Sequence, residues 1–235
     1  DLKEAFATWT KGEQAREKAR LDAAFTGFPC QDLRAAGDDR KRYFLMGPAE
    51  GQTMPENGWH LLLILPGGAG GPEFQNFCRT IHRDALPAGF IAAQLVAPAW
   101  SDDPNRTVWP TRMLNGDRAA FTTEDFIRAV VEDVAARLNL DRGRVLALGW
   151  SSSGPALYCD SLQPDTPIRG WLIAMSVFRP QWMPELTAAT DRRYYLLHSP
   201  DDALISIEQH ARMAEKRLRE AGATVTLVEY AGGHG

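Results

Sequence analysis

The chain has 235 residues, of which 44% are hydrophobic and 24% are charged. This composition is typical of a globular domain, and it excludes a wholly disordered, collagen-like or coiled-coil chain. The 26 Lys and Arg residues against 30 Asp and Glu residues leave a net charge of −4, without a basic stretch that would follow a phosphate backbone. Nucleic acid is therefore not an expected partner.

The sequence contains no membrane span and no cysteine pattern typical of a metal site. Its longest apolar run, residues 61–65, is far shorter than a bilayer span, which takes about 20 residues. Cys30, Cys78 and Cys159 lack C-x-x-C spacing, which argues against zinc and against a redox pair and leaves room for one disulfide. We therefore expect neither a zinc site nor a redox-active cysteine pair.

The first and last residues of the sequence are relevant to the cellular location of the protein. The chain begins at Asp1 without Met and stops one residue after His234, which we interpret as trimmed ends. Together with a possible cysteine pair, this start favours export to the periplasm or the cell exterior over a cytoplasmic location.

Residues 1–26 are predicted to form a helix. Leu2, Phe6 and Trp9 have the i, i+4, i+7 spacing of one helical face, and alanines continue at four-residue intervals among balanced charges. The helix is only weakly amphipathic, so it is interpreted as an N-terminal addition.

Residues 27–40 are predicted to form a connecting loop, because they contain proline, glycine and adjacent aspartates. The N-terminal helix and this loop therefore occupy residues 1–40. A larger domain follows over residues 41–235, and we expect the two parts to form one compact unit.

The larger domain alternates between short apolar runs and helical patterns. The continuous run 61–65 suits a strand with both faces buried, because helices then pack above and below it. The alternation predicts an α/β fold: a doubly wound, mostly parallel sheet flanked by helices, with the N-terminal helix as an extension. The predicted strands are residues 43–46, 60–65, 90–97, 144–148, 170–175, 194–198 and 224–230.

Two helices of this domain have their starting residues marked in the sequence. Thr122 and Asp125 have the spacing of a capping box before a periodic apolar segment that ends at Leu138. Ser206 and Gln209 have the same spacing before a helix predicted to end near glycine 222. Both helices are predicted to cover the sheet.

Ser151 lies where an apolar strand runs into a small-x-Ser-x-small turn and then into helical sequence. This context is typical of a nucleophile elbow, with Gly149 and Ser153 in the small positions. Ser152 as nucleophile would place Trp150 where a small side chain is needed, so we predict Ser151. A serine-rich turn without a role in chemistry is the alternative.

The elbow and the strands around it resemble the α/β-hydrolase superfamily. Within it, the sequence is similar to bacterial serine esterases of the phospholipase/carboxylesterase and polyhydroxybutyrate-depolymerase-like type. The resemblance extends over roughly residues 42–234, and it implies an α/β-hydrolase catalytic domain with a nucleophile, an acid and a histidine in that order.

The segment 198–205 resembles the family's H-G-x-x-D-x-x-V/I segment. The alignment implies that Asp202 is the catalytic acid, with Asp201 as the alternative. It gives His198 a structural place at a strand end, without a catalytic role, and it puts Ser199 where the family has glycine.

His234 follows the predicted strand 224–230 and a short glycine loop, much like the family's histidine. An imidazole there would take the proton of the serine, and a carboxylate would orient it. His60 opens a strand, and His82 and His210 lie in helical sequence. These three histidines are interpreted as surface or edge residues.

The glycine-rich loop 65–71 resembles the family's H-G-x-G loop, with proline in the place of the histidine. The resemblance implies that Gly68 supplies one backbone N–H to an oxyanion hole, with Ala69 as the second choice, and that Ser152 supplies the other. A phosphate-binding loop is not expected, because G-K-[ST] is missing and Glu73 stands at the third glycine of the dinucleotide pattern.

Trp109 lies in a long loop after the predicted strand 90–97, on the sheet edge where ligands bind in open α/β folds. We predict that it lines a substrate pocket, and Arg112 is a candidate contact for an anionic group. Packing of the loop by Trp109 is the alternative.

The sequence therefore predicts a cofactor-independent serine hydrolase of a small-molecule carboxylic ester. A thioesterase, an acyltransferase or a serine peptidase would use the same residues. A catalytically silent α/β-hydrolase fold that binds a ligand or a protein is the alternative of another class.

Overall fold

The structure is a computed structural model that describes residues 16, 19–21, 23–103 and 106–235. Most of the helix predicted over residues 1–26 lies outside these residues, and the described ones up to 24 are helical. The strands are β1 (Cys30–Arg34), β2 (Arg42–Met46), β3 (Trp59–Leu65), β4 (Phe90–Leu95), β5 (Leu140–Trp150), β6 (Gly170–Ala174), β7 (Arg193–His198) and β8 (Thr224–Glu229). The α-helices are α1 (Gln75–Thr80), α2 (Thr123–Arg137), α3 (Gly154–Ser161) and α4 (Ala211–Glu220). A π-helical turn, Ile81–Ala85, continues α1, and one-turn 3₁₀ segments, among them Ser151–Ser153, join other elements.

The strands form one sheet in the order β1-β2-β4-β3-β5-β6-β7-β8. β2 is antiparallel to β1 and to β4, whereas the pairs from β4 through β8 are all parallel. The predicted mostly parallel sheet is confirmed. Its parallel part brings the carboxyl ends of β3, β5, β7 and β8 to one edge.

β3 has its two faces in two different cores, as its continuous apolar sequence predicts. Leu61, Leu63 and Leu65 pack in one cluster, which includes apolar residues of α2 and α3. Leu62 and Ile64 pack in a second cluster on the opposite face, together with Cys78 of α1. The strand is therefore held between helical layers, which is the environment of a central strand in a parallel sheet.

The predicted start of α2 is confirmed in detail. The Thr122 hydroxyl accepts a hydrogen bond from the Asp125 backbone N–H at 3.2 Å, and the two side chains are 2.9 Å apart. The apolar side of this helix is buried. Its buried apolar residues are Phe126, Ile127, Val130, Val131 and Val134.

The loop predicted over residues 27–40 is wrong for Cys30–Arg34, which form β1 at one edge of the sheet. An edge strand exposes its polar residues, and Gln31 and Asp32 are exposed, so its sequence lacks the apolar alternation of a buried strand. Because β1 pairs with β2, the sheet begins on the N-terminal side of residue 41.

The predicted start of the last helix at Ser206 is also wrong, because α4 begins at Ala211. Residues 207–210 form a separate turn, and His210 leaves helical geometry with φ −127° and ψ −75°. Its Nδ1 lies 3.3 Å from the backbone N–H of Phe178, so this tertiary contact interrupts the helix. The end of the helix is close to the prediction, since Ala221 is its C-cap.

The three cysteines have free thiols, so the disulfide that the sequence allowed is not formed. Burial raises the pKa values of Cys78 and Cys159 to about 12, which keeps both protonated at neutral pH. Of the helices within the described ranges, none has the length and apolar character needed to cross a membrane.

Candidate active site

Three side chains meet at the carboxyl edge of the parallel strands. Ser151 directly follows β5, Asp202 lies four residues after β7, and His234 lies five residues after β8. Residues far apart in the sequence converge here because parallel strands end on the same edge of the sheet.

Ser151 occupies a strained turn between β5 and the helical segment that leads into α3. Its φ of 53° lies in the left-handed region, which a side chain with a Cβ rarely adopts. A Cβ on Gly149 would lie 2.6 Å from the Ser153 hydroxyl and 2.8 Å from Leu157, so the position before the turn requires glycine. The predicted elbow geometry is thus present.

Two further serines hold the turn. The Ser153 hydroxyl accepts from the Trp150 backbone N–H at 2.9 Å and donates to the Leu65 carbonyl at 2.7 Å, which ties β5 to the end of β3. The Ser176 hydroxyl donates to the Ser151 carbonyl at 2.5 Å. Ser176 was missed in the sequence, because it lies 25 residues from the serine that it supports.

A chain of hydrogen-bonding contacts joins the predicted site residues. Ser151 Oγ lies 3.1 Å from His234 Nε2, and His234 Nδ1 lies 2.8 Å from Asp202 Oδ2. Both distances are those of hydrogen bonds. The side chain of Asp201 is exposed, so the geometry favours Asp202 over this alternative.

Asp202 belongs to the acid turn, which we define as residues 201–205. Its side chain is fully buried, and Oδ1 accepts hydrogen bonds from the backbone N–H groups of Leu204 and Ile205, each at 2.9 Å. Burial by itself would raise the pKa of Asp202, but the hydrogen bonds from His234 and from these two N–H groups outweigh it and lower the pKa. Asp202 is therefore a carboxylate at neutral pH.

His198, at the end of β7, makes a contact that sequence reasoning missed. Its buried Nε2 lies 2.8 Å from the Ile205 carbonyl and 3.3 Å from Asp202 Oδ2. The family motif placed it at a strand end as a structural residue, and its four-residue spacing to Asp202 was the available signal.

The glycine-rich loop curves over the turn that carries Ser151. The Ser152 hydroxyl donates to the Gly68 carbonyl at 2.8 Å, and the Gly70 N–H donates to the Gly67 carbonyl at 2.9 Å. The second bond closes a turn with Gly68, at φ 57°, and Ala69 at its tip. Among the backbone hydrogen bonds between described residues, none uses the N–H of Gly68 or of Ser152.

Trp109 is 1% exposed and packs beneath this loop. Its indole N–H donates to the Pro66 carbonyl at 3.1 Å, and a Cβ on Gly70 would lie 2.9 Å from its ring. This position agrees with the packing alternative and leaves Trp109 no surface for a substrate in the present conformation. Arg112 is engaged elsewhere, because its guanidinium donates to Asp125 at 3.2 Å and to the side chain of Gln163 at 3.1 Å.

Gln94 of β4 supports the same loop from within the sheet. It is completely buried, and its Nε2 donates to the Gly71 carbonyl at 3.1 Å. In the sequence, the feature that could have indicated this role is a single amide side chain in an otherwise apolar predicted strand. Polar groups buried at this depth are usually retained for their hydrogen bonds.

The other three histidines, predicted at surface or edge positions, differ in how far their side chains are buried. His82 is 4% exposed, and burial lowers its pKa, so its surface interpretation is wrong. His60 is the second residue of β3, with a side chain 12% exposed, and His210 contacts the backbone of Phe178. Within the described ranges, no cluster of His, Cys, Asp and Glu side chains is arranged to hold a metal ion.

No family model matches this sequence, and no curated protein sequence is significantly similar to it. The structure is similar to that of MGS-M1, an alpha/beta hydrolase enzyme from a Medee basin deep-sea metagenome library. That comparison has a TM-score of 0.60 and 14% identity, and covers 89% of this chain and 84% of the other. It is also similar to Thermogutta terrifontis esterase 2 phosphonylated by cyclosarin, with a TM-score of 0.61, 16% identity and coverage of 89% and 84%.

A third similar structure is the Pyrococcus horikoshii acylaminoacyl peptidase, with a TM-score of 0.59 and 14% identity. The match covers 89% of this chain but 38% of the peptidase. At these identities the comparisons show the fold: the chain has the α/β-hydrolase fold that its sequence motifs predict.

Proposed function

We propose that this chain is a serine hydrolase that cleaves a small-molecule carboxylic ester through an acyl-enzyme intermediate. The observation that carries the proposal is the unbroken series of contacts from Ser151 through His234 to Asp202. The strained turn at Ser151 and the lowered pKa of Asp202 support it, because they suit a nucleophile and a charged partner for imidazole.

In the first step, Ser151 Oγ attacks the carbonyl carbon of the ester. Its proton passes to His234 Nε2, 3.1 Å away, and a C–O bond forms to the acyl carbon. Asp202 stabilises the resulting imidazolium through its contact with Nδ1 at 2.8 Å. The former carbonyl oxygen takes up the negative charge of the tetrahedral intermediate.

The backbone N–H groups of Gly68 and Ser152 are the proposed donors to this oxyanion. Both lie on the turns that meet at the Ser152–Gly68 hydrogen bond, and neither N–H is used by the backbone of the described residues. A preorganised donor of this kind is typically worth about 3 kcal/mol in kcat.

Collapse of the intermediate breaks the bond to the leaving alkoxide, which takes the proton from His234. Water then attacks the acyl carbon and gives one proton to the same imidazole. When the second tetrahedral intermediate collapses, the C–O bond to Ser151 breaks, His234 returns the proton to Ser151 Oγ, and the carboxylic acid leaves. The sequence of steps conserves atoms and electrons without another reagent.

Peptide hydrolysis is a second candidate, because one structurally similar protein is an acylaminoacyl peptidase. The same three residues would cleave an amide by these steps. Comparing turnover of p-nitrophenyl acetate with that of an N-acetylaminoacyl p-nitroanilide distinguishes the two substrates.

Fluorophosphonate labelling, read by intact mass, tests the nucleophile directly. Wild type should gain one label and hydrolyse p-nitrophenyl acetate, whereas Ser151→Ala should not be labelled and should lose a factor on the order of 10⁴ or more in kcat. Ser161→Ala is the control, since it removes a buried hydroxyl from the core near Tyr158 and Tyr194. It should be labelled like wild type.

A folded wild-type protein that takes no label would contradict the proposal and favour the catalytically silent binding protein. Labelling that persists in Ser151→Ala would assign the nucleophile to another residue.

A further inference from the structure

Ser199 is a fully buried residue directly after β7, and the proposed reaction does not use it. Its hydroxyl oxygen accepts two backbone hydrogen bonds, from Asp201 N–H at 3.1 Å and from Gly233 N–H at 3.0 Å. Glycine would provide no such acceptor. The hydroxyl is thus a feature of this chain where the H-G-x-x-D pattern has no side chain.

The two hydrogen bonds of Ser199 connect the acid turn with the histidine loop, which we define as residues 230–235. Asp201 directly precedes Asp202, and Gly233 directly precedes His234. One oxygen atom therefore holds the residue before the proposed acid and the residue before the proposed base.

The histidine loop contains two adjacent glycines, so its sequence alone favours no single backbone conformation. Gly232 has φ 151° and Gly233 has φ 75°, and glycine loses more conformational freedom on ordering than any other residue. Two hydrogen bonds tie Gly233: its N–H donates to Ser199, and its carbonyl accepts from the Tyr230 hydroxyl at 2.9 Å. Loss of the first leaves its N–H without this partner.

The acid side of the contact is rigid. The Asp202 backbone N–H donates to the Ser199 carbonyl at 3.2 Å, and the carboxylate is held by two N–H groups of the acid turn. The preceding residue, His198, adds its Nε2 at 3.3 Å from Asp202 Oδ2. Ser199 therefore links the glycine-containing histidine loop to the turn that holds the Asp202 carboxylate.

We propose that Ser199 is a positioning residue, whose hydroxyl holds Gly233 so that His234 lies between Ser151 and Asp202. This inference rests on the proposed function. Proton transfer needs the serine and imidazole at hydrogen-bond distance, and misplacement by about 1 Å can cost on the order of a hundredfold in rate. Because Ser199 is fully buried, its loss affects the catalytic step rather than substrate binding.

Ser199→Ala and Ser199→Gly test the role of the hydroxyl. Each should lower kcat for p-nitrophenyl acetate by about tenfold, with KM changed by less than about twofold, and should slow fluorophosphonate labelling similarly. Hydrogen–deuterium exchange in the peptide covering residues 230–235 should become faster, because the Gly233 N–H loses its acceptor.

Ser161→Ala is the matched control, since Ser161 is also a fully buried serine with two hydrogen bonds. Its hydroxyl donates to the Tyr158 carbonyl and accepts from the Tyr194 hydroxyl, each at 2.7 Å. It should lower thermal stability as much as Ser199→Ala while leaving kcat and the exchange of residues 230–235 unchanged. Thermal scans of all variants establish that each is folded at the assay temperature.

An active wild type whose two Ser199 variants keep both kcat and the exchange rates of the histidine loop overturns this inference alone. A wild-type protein that reacts with no fluorophosphonate overturns the proposed function and this role with it. A fall in kcat shared equally by Ser161→Ala overturns the inference as well, because general destabilisation then explains the loss.

Discussion

Asp202 and Asp160 are both buried aspartates, yet their surroundings shift their pKa values in opposite directions. Asp160, in α3, is 1% exposed and accepts from the Thr166 hydroxyl at 2.8 Å and the Trp171 indole N–H at 3.3 Å. Burial raises its pKa to about 7, because the two donors only partly compensate and Glu124 adds repulsion. The pKa of Asp202 is lowered.

The difference follows from the hydrogen-bond partners of each carboxylate: Asp202 accepts from His234 and from the backbone, and Asp160 from two side chains. Asp202 lies in a turn, where the N–H groups of Leu204 and Ile205 are free to donate to its carboxylate. Asp160 lies inside a helix, where backbone N–H groups already bond to the preceding turn. Burial alone therefore does not decide the charge of a carboxylate. His234 and the backbone N–H groups of the turn together keep Asp202 charged, whereas Asp160 has only two side-chain donors.

Removing the charge of Asp202 should have the largest effect. Asp202→Asn should lower kcat/KM by on the order of 10⁴-fold, because the amide cannot stabilise the imidazolium and favours the wrong tautomer of His234. Asp201→Asn, the neighbouring exposed residue, is the matched control and should stay within about twofold of wild type. Ester kinetics at pH 7 check both variants, and loss of activity in the Asp201 variant instead would move the acid to that position.

Asp160→Asn should stabilise the protein above neutral pH. The folded pKa of Asp160, about 7, lies above the unfolded value, so its contribution to stability is fully present below about pH 4 and is lost as pH rises to about 7. Without this ionisation, the variant should gain on the order of 2 kcal/mol in unfolding free energy at pH 8 relative to wild type, and little at pH 4. Urea unfolding at both pH values measures the difference.

Ionisation of Asp202 should change the unfolding free energy in the opposite direction, because the pKa of Asp202 is lowered in the folded protein. Its stabilisation is present above the unfolded pKa of about 4 and is lost as pH falls through the folded pKa. An Asp160→Asn variant with the pH profile of wild type between pH 4 and pH 8 would contradict the proposed contrast.

Removing one hydrogen-bond donor of Asp160 should have the smallest effect. Thr166→Val removes one of two donors, so the pKa of Asp160 should rise further and stability at pH 8 should fall by about 1 kcal/mol. Thr187→Val is an exposed control that should change stability by less than about 0.5 kcal/mol. The same urea experiment checks the pair, and equal losses in both variants would contradict a specific role for the Thr166 hydroxyl.

The elements predicted correctly are those whose sequence signal is local. β3 has a continuous apolar run, and α2 has its capping box and apolar side within one segment. β1 and the start of α4 were predicted wrongly, because pairing with β2 and the contact of His210 with Phe178 determine them. Both depend on residues distant in the sequence.

The residues of the candidate site also differ in whether a local sequence pattern identifies them. Ser151, Asp202 and His234 were identified from motifs and their order, and the structure brings them together. Ser176 and Ser199 were not identified as supports, since each acts through a hydrogen bond to a residue 25 or 34 positions away. No local pattern distinguishes such serines from ordinary polar residues.

The contact between Gly154 and Ser176 limits how this protein can vary. A Cβ on Gly154 would overlap the Ser176 hydroxyl, while that hydroxyl holds the carbonyl of Ser151. In a library randomised at both positions, alanine at 154 should therefore survive only beside glycine at 176, and those survivors should be stable but slow. The two positions would then appear as a correlated pair, because a side chain at 154 requires the loss of the side chain at 176.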